Sequence, residues 1–405
     1  MSERSVASYL SDPAFYADPY PLYRALRERD PVMFTDLRGG AWLFTSYEDV
    51  AAGLKHERLS NARAGGFLKA LPPDTHAELQ PLAETLSRWM LFYDPPNHTR
   101  LRKLMGHTFA QTSLDTLRPR VESAVHELLD AVEPAGHMDV LKDFAFQLPL
   151  LVIVDMLGVP RDKRDEFIVW SGDIGQLLGG ATPTLEVARR AQRSVAAMTE
   201  YLRERAALRR RAPADDILTL LLQAEADGDK LTEDELYAQC VLFLFAGHET
   251  TRNLIGNGLY ALLRHPEELE KLRRDPSLIK TAVEELLRYD SPVQMLSRVV
   301  TDDIEYKGRR IKKGQMAMLF MAAANRDPAE FPDPDRLDVA RKASRHLSFA
   351  WGPHLCLGAG LARMEAQIAF SALLQRMPDL RLADEPPQFV MNLVLRGLQS
   401  LEVRF

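Results

Sequence analysis

Phe349-Ala350-Trp351-Gly352-Pro353-His354-Leu355-Cys356-Leu357-Gly358 is the stretch on which the reading of this chain turns. Gly352 and Pro353 mark it as a loop, and the helical pattern that follows places Cys356 where a helix begins. The first turn of a helix offers unpaired N–H groups and the positive end of the helix dipole, and both favour a thiolate. A lone Cys lacks the paired spacing of zinc and iron–sulfur sites. Three roles stay open for it: a nucleophile with His354 or a distant His as base, a single axial metal ligand, or an inert buried thiol.

Cys240 is the other cysteine, and nothing suggests that it pairs with Cys356, so a reducing compartment is expected. Residues Met1–Asp12 lack an apolar signal region, and the greasiest stretch, Leu148–Val159, is broken by Pro149 and Asp155 short of a membrane span. The expectation is a cytoplasmic protein with no membrane contact. The 405 residues, 46% hydrophobic, suffice for an enzyme-sized core and exclude peptide hormones and small disulfide-stapled folds. With 51 Lys and Arg against 57 Asp and Glu, the net charge of −6 gives nucleic acid no basic footprint. Prolines and glycines are scattered rather than gathered in a linker, and there is no repeat, so 1–405 reads as one continuous domain.

The periodicity predicts a mainly α fold with minor β-sheets. Helices are expected at Tyr20–Arg29, Thr99–Gly136, Leu141–Leu157, Thr184–Arg211, Ile217–Ala226, Glu267–Arg274, Leu278–Tyr289 and Leu357–Met377. Strands are expected at Ala41–Thr45, Leu296–Val300, Ile304–Tyr306 and Gln315–Ala322, with weak strands to Phe405. Thr45 and Glu48 form a capping-box pattern opening a helix through Leu54; Thr232 and Glu235 form a second. From there a helical pattern runs through Leu263, about 45 Å at the standard rise, and its middle, Cys240–Phe245, is apolar nearly all round. Asn61–Tyr93 reads as a long irregular loop rich in bulky apolar residues.

Three further motifs carry polar chemistry. Glu285-Leu286-Leu287-Arg288 puts an acid and an arginine on one helical face, by itself no more than an exposed ion pair. Ala246-Gly247-His248-Glu249-Thr250-Thr251 interrupts the apolar helix, where Gly247 lets the backbone approach a ligand and Thr250 can divert hydrogen bonds from the preceding turn. Asp94-Pro95-Pro96-Asn97-His98-Thr99-Arg100-Leu101-Arg102 gathers donors suited to buried carboxylates. With Phe349-x-x-Gly352-x-x-x-Cys356-x-Gly358, these motifs, taken in their order along the chain, resemble the soluble bacterial cytochrome P450 monooxygenases over nearly the whole chain. One departure is Ala350, where the family often has Gly.

The resemblance implies haem b, held between the long central helix and the helix after the Cys loop. Cys356 would be its iron ligand, with Phe349 and Gly358 shaping the loop and Ala246 and Gly247 against the ring. His98, Arg102, Arg298 and His354 would serve the propionates. Thiolate ligation favours O–O cleavage, so the implied reaction is hydroxylation or epoxidation of a hydrophobic small molecule, with O2, in specialised metabolism such as polyketide, macrolide or terpenoid tailoring. Glu249 and Thr250 would deliver protons. Glu285 and Arg288 would join Arg336 in a structural cluster.

A ferredoxin and its reductase are implied as partners, because no flavin or iron–sulfur segment is present, and the enzyme would work as a monomer. Arg100, Arg102, Lys103, Arg341, Lys342 and Arg345 would flank the docking face. The resemblance draws the substrate pocket from Phe67, Leu71, Leu86, Trp89 and Met90 of the loop, from Ile174, Leu177 and Leu178, and from Leu242 and Phe243. Val293, Gln294, Met295 and Leu296, with Met391, Asn392, Leu393 and Val394, would complete it, and Gly179 and Gly180 would hinge a mobile lid. A peroxide-dependent relative or a haem sensor or carrier would share the Cys loop, but neither needs the Glu249–Thr250 pair.

Overall fold

The computed structural model describes residues 6–10, 12–37, 40–106, 111–160, 163–179, 184–226, 229–342 and 345–405. The chain gathers into two compact units, one of residues 1–60, 125–146 and 250–405, the other of residues 61–124 and 147–249. Helix dominates both.

In the first unit a five-stranded sheet runs in the order Val32–Thr35, Ala41–Phe44, Met316–Leu319, Leu296–Val300, Leu59–Ser60. Ala41–Phe44 pairs with Met316–Leu319 in parallel; the other neighbours are antiparallel. Strand alternation divides the side chains. Leu43 and Met318 pack into a core with Tyr23 and Leu26 of the helix Tyr20–Arg29, while Phe44, Ala317 and Leu319 join Val50 and Leu54 of the helix Tyr47–Lys55 on the other face.

That second helix begins one residue later than expected. The Thr45 N–H is spent on Pro31 O at 2.9 Å, which extends the ladder, so Ser46 becomes the cap and pairs reciprocally with Asp49. The Thr232–Glu235 box forms as expected, with N–H donations of 3.0 and 3.2 Å in the two directions. It opens the long helix Glu233–Arg264, which belongs to the second unit through Glu249 and to the first from Thr250. A small sheet joins Arg381–Leu382, Glu402–Arg404 and His137–Asp139.

The second unit holds the larger departures. Within the expected loop 61–93 stands the helix His76–Ser87, whose buried Leu79, Leu82, Ala83 and Leu86 recur at i, i+3, i+4 and i+7. Pro81 inside it made the segment read as punctuation. A helix at Arg164–Gly179 had no counterpart in the sequence reading; Gly180, the other expected hinge glycine, lies outside the described residues. Thr99–Gly136 divides into Asn97–Gly106 and Gln111–Val132, and Leu141–Leu157 into a π-helical turn, Val140–Ala145, and Gln147–Met156. Ile217–Ala226 stops as a helix at Gln223, and Gln315–Ala322 passes from strand into a helical turn at Met321–Ala324.

Candidate functional site

The Cys loop is fastened from behind. Asn325, fully buried, accepts the Leu347 N–H at 2.7 Å and donates at 2.8 Å to Ser291 and Ser348, whose hydroxyls both bond Leu287 O. The loop then curls through Ala350 at φ +59° and Gly352 at φ +78°, until the Cys356 N–H donates to Phe349 O at 2.9 Å. A Cβ on Gly352 would lie 3.3 Å from the Lys55 side chain, and Lys55 Nζ sits 4.2 Å over Trp351. Cys356 emerges exposed, two residues before Gly358 caps the helix Ala359–Arg376. Cys240 is its opposite: burial first, then Asp216, pushes that thiol up to about 12, so it is inert.

The long helix is buried from Cys240 to Phe245, then opens at Ala246, Gly247, Glu249 and Thr250, while His248 and Thr251 turn inward. Ala246, Glu249 and Thr250 are spaced i, i+3, i+4 and share one face. Gly247 also has a packing reason the sequence did not show, since a Cβ there would meet Ile153 at 3.3 Å. His248 places Nδ1 3.1 Å from Leu244 O and Nε2 3.7 Å from the Glu249 carboxylate. Thr251 hydrogen-bonds Glu365 of the helix Ala359–Arg376; burial pushes this carboxyl up to about 8, and its other oxygen is without a partner. Sequence reading missed Glu365, although an acid among the apolar residues of that helix was a signal.

Glu285 and Arg288 are fully buried rather than an exposed helix pair. Arg288 donates to both Glu285 oxygens at 2.7 and 2.8 Å, and to the carbonyls of Asn325, Pro334 and Arg336. The third guanidinium is not that of Arg336, whose side chain is exposed and whose carbonyl alone takes part. It is Arg341, 3.1 Å from Glu285, which removes Arg341 from the expected docking face. Arg100 leaves that face too, ion-paired with Glu235 at the start of the long helix.

His98 and Arg102 lie one turn apart on Asn97–Gly106, and His98 is buried; burial, then Arg102, lowers its pKa against the pull of Asp94. Arg298 is buried on the strand Leu296–Val300, beside Ala317 of the neighbouring strand, and His354 is half-buried in the Cys loop. In the first unit the exposed Cys356 thiol on its braced loop suits a metal ion, and Arg298 and His354 offer donors for carboxylates; in the second, His98 and Arg102 offer donors of the same kind, and Ala246 and Glu249 are accessible on a buried helix.

The expected pocket residues divide. Val293–Leu296 and Met391–Val394 are laced together by Gln294 N–H to Val394 O at 2.8 Å and by a bridge between Val293 and Leu395. Met295 and Leu393 nevertheless face the core around Tyr23, and the Gln294 amide is engaged by Tyr23 and Ser291, so these three are structural. Asn392 accepts two backbone N–H groups and shapes the turn, while Met391 is 54% exposed. In the second unit Leu71, Leu86, Met90, Ile174, Leu177, Leu242 and Phe243 are buried, with Phe67 and Leu178 half-buried. Trp89 is a core residue, stacked with Phe92 and Phe245 at 6.1 and 5.8 Å.

The family description "Cytochrome P450" matches residues 176–395. A biotin biosynthesis cytochrome P450 of Bacillus subtilis is 39% identical over 99% of this chain and 100% of its own. Cytochrome P450 107B1 of Saccharopolyspora erythraea is 42% identical over 97% and 96%. The solved structure of P450BioI with acyl carrier protein ligated to hexadec-9Z-enoic acid superimposes with a TM-score of 0.91, at 38% identity, covering 97% of this chain and 99% of that one. On this geometry and these likenesses, the chain belongs to the cytochrome P450 family.

Proposed function

We propose that the Cys356 thiolate would hold haem b, and that His98, Arg102, Arg298 and His354 would hold its propionates. The observation that carries this reading is the exposed Cys356 thiol on a loop whose backbone is held by buried hydrogen bonds. Family membership makes the chain a monooxygenase with a haem-iron cofactor, drawing on O2 and a redox partner. When bound, the haem supplies dioxygen activation, and the balance is RH + O2 + 2 e⁻ + 2 H⁺ → ROH + H2O for a hydroxylation. The chain's own work is to position substrate and move those protons. Thr250 and Glu249, on the accessible face, are the alcohol and acid for that task. Ala246 leaves room beside them.

The electrons come one at a time from a ferredoxin served by a reductase. With Arg102 given to the propionates, Lys103, Lys342 and Arg345 remain as the basic docking residues. The substrate is an apolar small molecule, met by Leu71, Leu86, Ile174, Leu177, Leu242 and Phe243 and by Val293, Leu296 and Val394. Its delivery on a carrier protein has support in the relative bound to an acylated acyl carrier protein.

Two measurements test this reading. The carbonyl complex of the reduced holoprotein should show the thiolate absorption band, and Cys356→Ser should lose it. Optical titration with macrolides, terpenoids, steroids and fatty acids, free and carrier-bound, should shift the Soret band of the ferric protein with one class. A wild-type carbonyl complex without the thiolate band would overturn the ligand assignment.

A further inference from the structure

Beside Glu285, its neighbour Glu284 serves a different cluster. Glu284 accepts from Arg363 Nε at 2.6 Å and Nη2 at 2.8 Å, and His346 Nε2 lies 3.1 Å from the same carboxylate. The Arg363 guanidinium in turn sits 4.4 Å over the ring of Phe349, with the His346 ring 5.9 Å away on a tilt. Phe349 is the residue whose carbonyl takes the Cys356 N–H. A continuous line of contacts thus runs from a carboxylate on the helix Ile279–Tyr289, through a guanidinium on the helix Ala359–Arg376 and an aromatic ring, to the thiol loop. Burial pushes the Glu284 carboxyl up, but Arg363 and His346 outweigh it and hold it at about 2, so the pair is ionised at any working pH.

We propose that the Glu284–Arg363 pair sets the charge felt at the Cys356 loop: Arg363, stacked on Phe349, favours electron uptake there, and Glu284 offsets it. The proposal rests on Cys356 being the haem ligand. The step it governs is the transfer of one electron from reduced ferredoxin, which is oxidised, to ferric haem iron, which becomes ferrous, with no bond made or broken. The site gains one negative charge. A nearby cation stabilises that product and a nearby carboxylate opposes it, more strongly in a protein interior than in water. Both are positioning residues, since neither touches the ligand sulfur in this line of contacts.

Spectroelectrochemical titration of the holoprotein and of Glu284→Gln, Arg363→Met and Arg363→Lys tests it. Glu284→Gln should move the reduction equilibrium about threefold or more toward ferrous, and Arg363→Met by a similar factor toward ferric, while Arg363→Lys stays within about twofold of wild type. A clamp that only steadied the loop would move both neutralising variants the same way, and that result overturns the proposal. So does an unshifted Glu284→Gln. If Arg363→Met does not retain haem, the direction of Glu284→Gln and the position of Arg363→Lys carry the test. A wild-type carbonyl complex lacking the thiolate band would overturn the ligand assignment itself. A thiolate band with unshifted potentials would overturn only the charge balance.

Discussion

Ala350 holds a φ of +59°, a conformation in which a Cβ costs roughly 1–2 kcal/mol. Removing the Cβ relieves the crowding but adds freedom to the unfolded chain, so Ala350→Gly should gain about 0.5–1 kcal/mol. Chemical denaturation of the holoprotein measures this, and a loss of stability would contradict it. At Thr250 the expected effect is on chemistry. Thr250→Ala should keep substrate-induced optical shifts but uncouple turnover, with product per NADPH consumed falling about tenfold or more. Cys356 and Thr250 stand out in the sequence because each sits in a pattern of residue types that a packed core does not call for. Glu365 was not, because its role depends on Thr251 of a helix more than a hundred positions away in sequence, and only the fold joins them.

The Glu285–Arg288–Arg341 cluster shows where motif reading stops at the level of elements. The i, i+3 pair on Ile279–Tyr289 could be read directly, but a helix reports its own face and not which arginine of an irregular segment meets it. Arg336 and Arg341 are five residues apart, and the bend between them sends one guanidinium to solvent and the other to Glu285. Breaking a buried charge cluster is expensive, so Arg341→Met should destabilise by about 3 kcal/mol and Arg336→Met by no more than about 0.5 kcal/mol. Thermal unfolding of the two variants separates them; equal losses would return Arg336 to the cluster. Helix ends behaved similarly. The Thr232–Glu235 box was legible, whereas the Thr45–Glu48 pattern was displaced to Ser46 and Asp49 because a sheet neighbour claimed the Thr45 N–H.

At the scale of the whole molecule, a mainly α fold was legible because long apolar periods survive without tertiary information. The helices His76–Ser87 and Arg164–Gly179 were less so, one masked by Pro81 and the other lacking a strong cap signal. Among the described residues no helix is long and apolar enough to cross a membrane. Glu365 makes global stability depend on pH. Its carboxyl stays protonated in the folded state up to about 8, against an ordinary 4.5, so between these values the native state binds the extra proton. Its contribution is full below the lower value and is lost as pH rises through the higher, at about 1.4 kcal/mol per pH unit. Glu365→Gln should therefore flatten the denaturation free energy over that window, and an unchanged slope would place the carboxyl elsewhere in the titration. If the proposed basic residues dock a ferredoxin, reduction by it should slow as salt rises, and stopped-flow rates that do not change with salt would contradict that docking face.

The parallel pairing of Ala41–Phe44 with Met316–Leu319 has a consequence for biosynthesis. During translation the amino-terminal hairpin emerges early, yet Phe44 waits for Leu319, and at ordinary ribosome speeds that interval is roughly tens of seconds. Until then one edge of the hairpin offers unpaired amides and carbonyls beside Leu43 and Phe44, a template for wrong partners. Yield in a cell would then depend on chaperone capacity during that interval as much as on the stability of the finished enzyme.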